Sequence, residues 1–521
     1  MFKKIMLPIY ALCLCLGLSG CSSSGSISTF TIGVEKMPSN LDPQIATEKS
    51  DVLVLSNVFD GLFEKRNGKV EKNLVEEYTV SSDGKTYTMK LKEGSVYHYS
   101  DGKSTSFEGT PVTANDFVFA LRRVADPTTH SPYIDYFSNI ENAENIKNGA
   151  SATTLGVSAP NDYTLIIRLN SPDFNFTEKL CSTAALPCNE KFFLFTKGSY
   201  GLSVKSLMSN GPFKLTYLES AGENATIVRS DDAPKSAVQR IRIKKISAAD
   251  QPKSFANETI SGFFSFDGAE VEGINASFTK FDSANISLIF NQHNPQFSNV
   301  KIRQALSYYA YSFKNSGANL SVVSPTGSLF PDTISLAGQI VGENSASYAP
   351  PYMNNDPKNM LSTGLSQIGL SKPASATILM PNDSIYTIVF ENINQLWQRD
   401  LGLYFSIEYL STEQINQRIA KGDYELAFLP LSPKDDTPYG ILDVYNGYSE
   451  EFSNLLLEAK SMADQANALP NVRRCGKILL EDAVLVPMGK ESTVFYHQKY
   501  FSDIYIDPFT YVINLKYAKA R

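Results

Sequence analysis

Between Val389 and Leu429 the chain alternates helix and strand with short gaps, and that alternation restricts the fold more than any other feature. Val389 to Leu401 has helical apolar spacing, Tyr404 to Tyr409 reads as a strand, Thr412 to Ala420 as a helix and Tyr424 to Leu429 as a strand. Such repetition predicts an α/β lobe with a partly parallel sheet. Upstream, Ile286 to Phe290 reads as a strand. Val300 to Phe313 reads as a helix with Ile302, Ala305, Leu306, Tyr309 and Phe313 inward.

The first half is richer in strands. Thr29 to Glu35 opens it, and Tyr87, Met89 and Leu91 alternate after an Asp83-Gly84 turn. Thr113 caps a helix carrying Phe117, Leu121 and Val124, which Asp126-Pro127 ends. Tyr163 to Leu169 is a strand. After Gly211-Pro212 come Phe213 to Leu218, Ala225 to Val228, and Arg240 to Ile246 with Ile241 and Ile243 on one face. The Pro/Ser/Gly-rich stretch from Ser324 to Pro357 is expected to be an ordered surface excursion.

The amino terminus sets the compartment. Lys3 and Lys4 precede an apolar run, Ile5 to Leu18, that closes on Leu18-Ser19-Gly20-Cys21. A positive start, a short apolar core and small residues before a cut describe a secretory signal. Leu-Ser-Gly-Cys resembles a bacterial lipobox, in which Cys21 is lipidated and becomes the mature terminus; the alternative is an ordinary cleaved signal with a coincidental cysteine. Several acyl chains hold a protein at a bilayer far better than one. Ser22 to Ser26 then form a flexible tether.

Some bulk properties narrow the field. About 500 mature residues exceed one core and predict two or three lobes. Hydrophobic content of 42% with 19% charged residues is that of a soluble globular protein, and the net charge of −7 argues against nucleic acid. Cys13 and Cys15 leave with the signal, so Cys181, Cys188 and Cys475 remain, either as a small Cys181–Cys188 loop with one thiol or as free thiols.

Catalytic patterns are missing. The histidines, His98, His130, His293 and His497, form no close-spaced metal pair, and there is no phosphate loop or Gly-x-Ser-x-Gly elbow. Ser82-Asp83-Gly84-Lys85 and Ser100-Asp101-Gly102-Lys103 match Ser-x-x-Lys formally, but Asp-Gly makes a turn where a nucleophilic serine needs a helix start. We therefore expect no enzyme, no cofactor and no metal.

A series of segments carries a family resemblance. In order they are Leu41-Asp42-Pro43-Gln44, Asn57-Val58-Phe59-Asp60-Gly61-Leu62-Phe63, Asn73-Leu74-Val75-Glu76, Gly109-Thr110-Pro111-Val112-Thr113-Ala114-Asn115-Asp116-Phe117, Ser209-Asn210-Gly211-Pro212-Phe213, and Val300-Lys301-Ile302-Arg303-Gln304-Ala305-Leu306. Behind a lipobox, this order resembles the extracytoplasmic solute-binding proteins, family 5, of oligopeptide and dipeptide ABC importers. The resemblance implies an α/β, type II periplasmic-binding-protein-like bilobal clamp with an additional inserted lobe. Lobe I would comprise residues 29–70, 172–247 and 492–521, the inserted lobe 71–171 and lobe III 248–491, after a leader (1–21) and tether (22–28). It further implies a monomer, anchored on the extracytoplasmic face of the cell membrane, that closes on a short peptide or related solute and delivers it to ABC permease subunits. The alternative is a ligand-sensing or adhesive surface lipoprotein that has lost transport.

Carried over by position, the resemblance assigns ligand contact to Thr47, Glu48 and Lys49, against a reading of Glu48 and Lys49 as solvated loop charges. It assigns a cleft position to Asn210, which is equally a plain turn former. In the second lobe the family's acidic anchor for the peptide amine faces Leu431-Ser432-Pro433-Lys434-Asp435-Asp436-Thr437-Pro438. Ungapped alignment puts Lys434 at the acid, and a one-residue slip restores Asp435. Asp435 and Asp436 are thus anchor candidates or simple turn charges. Ala-Ile-Asp-Arg after the mid-chain helix start is replaced by Tyr311-Ser312-Phe313-Lys314, and Asp267 survives without its usual surroundings.

Overall fold

Two long strands tie the molecule together. The computed structural model describes residues 29–520 apart from 67–68, 100–106, 220–221, 232, 234–237, 266–274, 316–323, 343–347, 383, 434, 508 and 511. The leader, Cys21, the tether, Ser100 to Lys103, Asp267 and Lys434 lie outside the described residues.

An 11-stranded sheet runs through the chain. Leaving aside the two-residue Ser324–Pro325, its strands in chain order are β1 (Thr29–Val34), β2 (Phe213–Leu218), β3 (Asn224–Arg229), β4 (Arg240–Lys245), β5 (Gly262–Ser265), β6 (Ser277–Phe290), β7 (Thr377–Pro381), β8 (Ser406–Leu410), β9 (Leu426–Leu431) and β10 (Leu485–His497). Spatially they run β2-β3-β4-β1-β5-β10-β6-β9-β7-β8. Strand β7 is parallel to β8 and β9, the pairing that the helix–strand alternation predicted, and β1 is also parallel to β4 and β5 on the other flank. The centre is antiparallel: β6 and β10, 14 and 13 residues long, pair from Ser277↔His497 to Ile289↔Leu485. Their register slips between Asp282 and Ala284 and again between Ile286 and Ser287. Bulges bend and twist a ladder locally. Hydroxyls gather at the first slip: Ser283 Oγ donates to the Glu491 carbonyl at 3.2 Å and Ser492 Oγ to Asp282 at 2.7 Å.

Beyond the bulges both sheet faces are covered. Ile286, Leu288, Ile378, Met380, Leu426 and Phe428 point into one apolar core, while Ile289, Leu379, Ala427 and Leu429 point into another. That is why these strands read as continuous apolar runs. Trp397, fully buried, donates Nε1–H to the Leu306 carbonyl at 3.0 Å and fastens helix Ser384–Leu401 to helix Val300–Asn315. Leu329, Phe330, Ile334, Leu336 and Val341 are buried in the second core. The Ser324 to Pro357 stretch is therefore a core element over those residues and not the surface excursion expected.

Before the bulges, β1 to β4 pack over Phe30, Ile32, Ile241 and Ile243 together with Leu53, Phe59, Phe495 and the carboxy-terminal Ile513 and Leu515. Residues Gln251–Ala256 and β5 belong to this side, since Phe255, Ile260 and Phe263 pack on Val494 and Tyr496. The residues just after the expected lobe III border at 248 thus pack beside the core of β1 to β4. A four-stranded antiparallel sheet, Val75–Val80, Thr86–Leu91, Thr164–Arg168 and Val157–Asn161, forms the inserted lobe. Helix Ala114–Ala125 closes it with Phe117, Leu121 and Val124 buried, started by the Thr113 amide donating to Asp116 at 2.7 Å. Its core also takes in Phe176, Leu180, Cys188, Phe192 and Met208, while Leu186 and Leu207 of the same segment pack in the core of β1 to β4.

Candidate functional site

The recurring motifs of the first half converge on a small number of buried hydrogen-bond hubs. Arg123 reaches Asp42 through two parallel bonds of 3.0 and 2.5 Å and Gln44 through a third of 2.6 Å. A fork of this kind is the strongest geometry available to a carboxylate. Gln44 then donates to the Leu186 carbonyl, and Tyr133 donates to Ala46 at 2.6 Å, so Leu41-Asp42-Pro43-Gln44 fixes the loop that leads to Thr47. Asn57 donates to the Ile513 carbonyl and accepts the Leu515 amide. Asp60 accepts from Lys516 at 2.6 Å and from Asn73 at 3.1 Å, while its backbone is clasped by both ends of the Asn210 amide. Gly211 follows because a Cβ there would lie 2.7 Å from the Val58 carbonyl carbon.

These hubs frame a cavity of about 350 Å³. Helix Lys49–Val58 supplies Val52 and Ser56; Phe59, Phe63 and Lys65 follow it. Tyr133 and Tyr136 come from the inserted lobe, and Glu178, Cys181 and Ser182 from the segment after it. Pro433 and Asp435 enter from beyond β9, and Tyr505, Asp507 and Thr510 from the carboxy-terminal tail. A concave site with apolar walls and a few polar groups is the usual form of a small-molecule pocket.

Asp435 is 8% exposed. Its Oδ1 accepts the Thr437 amide at 2.9 Å and the Thr437 hydroxyl at 2.5 Å, and its Oδ2 accepts the Tyr136 hydroxyl at 2.8 Å. Burial and the neighbouring carboxylate push the Tyr136 phenol well above its ordinary range, so it donates. Lys65 pairs with Glu178 at 2.5 Å and, across the lobes, with Asp436. Burial works against the Lys65 charge, but Glu178 outweighs it and holds the ammonium above its usual range. Burial raises the Glu178 carboxyl while Lys65 pulls it back. A second cross-lobe pair, Lys179 to Asp443 at 3.2 Å, is backed by Lys460 on the same carboxylate at 2.6 Å.

The residues assigned from sequence fall in different places. Thr47 and Asp435 line the cavity, and Asp436 lies beside it in the Lys65 pair. Glu48 pairs with Lys36 at 2.6 Å on the surface, and Lys49 opens the helix with an exposed side chain; neither lines the cavity. Asn210 holds the wall from behind through Asp60 and does not line it either, the turn-former role. Cys181 and Cys188 are free thiols. Lys65, Tyr136, Glu178 and Asp507 had no motif to announce them; only Lys65, two residues beyond Phe63, adjoins one. Among the described residues no group of His, Cys, Asp and Glu is placed to hold a metal ion, and no helix is long and apolar enough to cross a membrane.

Residues 69–453 match the family described as bacterial extracellular solute-binding proteins, family 5. The chain belongs to that family. It is 23% identical over 507 residues to the oligopeptide-binding protein OppA of Bacillus subtilis, covering 90% of this chain and 88% of that protein. The oligopeptide-binding protein AmiA of Streptococcus pneumoniae is 32% identical over 263 residues, 48% of this chain and 39% of that one. Among solved structures, Listeria monocytogenes OppA bound to peptide superposes with a TM-score of 0.71 at 21% identity, covering 95% of this chain and 99% of that chain. Burkholderia pseudomallei OppA gives 0.74 at 17% identity, covering 95% and 99%. The fold is accordingly the type II binding-protein clamp, and the family is one of solute binders.

Proposed function

We propose that this protein is the lipid-anchored receptor of a peptide-type ABC importer, held at the membrane through Cys21, which captures short peptides and presents them to a permease. The observation that carries this reading is the cavity itself, walled from lobe I, the inserted lobe and the Asp435 segment of lobe III. Closure would be a bend of β6 and β10 at the Asp282/Ala284 slip, with lobe III beginning there. A ligand shifts such an equilibrium only through contacts that differ between open and closed states, so groups from both lobes are needed. Asp435 supplies a buried carboxylate for the peptide amine, and Thr47 sits on the opposite wall.

Thermal melts of the chain lacking residues 1–21 with a panel of di- to pentapeptides test the reading. Binding to the folded state alone raises the midpoint by mass action. No shift with any peptide would discard peptide capture. A second reading, a sensor or adhesin without transport, is favoured by Asp435 and Asp436 already being engaged by Thr437, Tyr136 and Lys65. Cys21→Ser should move the protein from the membrane fraction to the soluble one under either reading; continued membrane retention would count against the lipid anchor.

A further inference from the structure

Positive and negative groups are unequal around the cavity. Lys65 already pairs with Glu178 and Asp436, and Lys516 is committed to Asp60. Asp435 and Asp507 line the same space at 8% and 9% exposure, and neither makes an ion pair among the described residues. Both are close enough to act on the Lys65 charge. One ammonium therefore faces Glu178, Asp436, Asp435 and Asp507 together. The two aspartates differ in how their oxygens are used. Those of Asp435 are both taken by neutral donors, Thr437 and Tyr136. Asp507 accepts the Phe509 and Thr510 amides at 2.9 and 3.0 Å, both on Oδ1. No hydrogen bond reaches its Oδ2 among the described residues. The Thr510 hydroxyl, on the same stretch of the tail, is buried without a hydrogen-bond partner among the described residues.

A carboxylate buried to this degree, with one oxygen left open to the cavity, is stabilised by a cation that meets it there. A metal ion does not suit the place, because no set of acidic groups among the described residues converges as metal ligands do. The tyrosines and phenylalanines of the wall suit an organic cation, whose alkyl stem packs on rings while its charged tip reaches oxygen. Resting on the peptide-receptor reading, we propose that Asp507 reads a cationic side chain of the ligand, so that the preferred cargo is a short peptide carrying lysine or arginine in addition to its free amino end.

Calorimetric titration of the chain lacking residues 1–21 with Lys-Ala-Ala, Ala-Lys-Ala and Ala-Ala-Lys, each against its norleucine and ε-acetyl-lysine counterparts, tests this. At least one lysine peptide should bind about tenfold or more tightly than both neutral forms, the scale of a buried charge pair. Asp507→Asn should remove that preference, bringing lysine and norleucine peptides to the same affinity. Since Asp507 also holds the 509–510 backbone, the ratio of lysine to neutral peptides on the wild-type protein is the decisive readout if the variant does not fold. Equal affinity for lysine and norleucine peptides at all positions, or a preference that survives in folded Asp507→Asn, would overturn the assignment. Failure of every peptide to bind would instead overturn the peptide-receptor reading, and this one with it.

Discussion

The two walls of the cavity are built on different terms. The lobe I wall is held by interlocking hubs: Arg123 on Asp42 and Gln44, Asn57 on the carboxy-terminal tail, Asn210 and Lys516 on Asp60. The lobe III wall is Pro433 and Asp435, with Asp435 and Asp436 fastened by Thr437 and by groups of the opposite lobes, Tyr136 and Lys65. One wall is stabilised by lobe I and the inserted-lobe helix packed on it, the other in part by closure itself. Substitutions in the first should register as global stability, and substitutions in the second as a changed preference between open and closed.

Arg123→Met offers the largest effect. It strands the buried Asp42 carboxylate and should lower unfolding free energy by about 3–5 kcal/mol in urea titrations; a loss under about 1 kcal/mol would break the distinction between the walls. Lys314 sharpens it from the other side. The residue is 4% exposed, its amine meets the Thr326 carbonyl at 3.0 Å and the Tyr311 ring among the described residues, and burial lowers its pKa to about 7. In the unfolded chain it keeps its proton to about pH 10.4. Between these values the unfolded state binds more protons, so this group makes stability rise with pH from about 7 to 10, and its penalty is full below 7. Lys314→Met should remove that slope and stabilise the protein by about 1–3 kcal/mol at pH 6, measured by denaturant midpoints across the range; an unchanged pH profile would contradict it.

Smaller effects separate the walls directly. Asn210→Ala leaves the Asp60 backbone with two lost bonds and should cost about 1–2 kcal/mol in the same titrations. Tyr136→Phe removes one cross-lobe bond, worth about 1 kcal/mol, and should weaken ligand binding while the urea midpoint of the unliganded protein stays within error. A reversed pattern, Asn210→Ala acting on binding alone, would undo the comparison. Glu48→Gln, at a surface pair with Lys36, should change stability by under about 0.5 kcal/mol and leave affinity unchanged; a large affinity loss would return Glu48 to the ligand.

What could be read from sequence follows the same division. The strands through Ile241 and Ile243, the Thr113 helix and the helix–strand alternation after Val389 were legible because each carries local periodicity or a cap. Helices Glu450–Ser461 and Leu469–Glu481, and strand β10, went unread. Their apolar residues serve a core on one side of a continuous sheet, and nothing local reports that sheet. The lobe borders had only the family pattern to rest on: a strand of 14 residues passes from one core to the other through a bulge, with no linker composition to mark the passage. In the cavity, Thr47 and Asp435 came from position in the family pattern, whereas Lys65, Tyr136, Glu178 and Asp507 meet only through tertiary folding. Motif residues such as Asn210 proved to hold the wall and not to face the space.

Native mass spectrometry of the protein lacking residues 1–21, purified from its own host without refolding, tests the central claim most directly. The account expects added mass that is heterogeneous and dissociates into short peptides, enriched in those with a basic side chain. Bare protein that also gives no thermal shift with peptide mixtures, or one sharp non-peptide adduct, would contradict it.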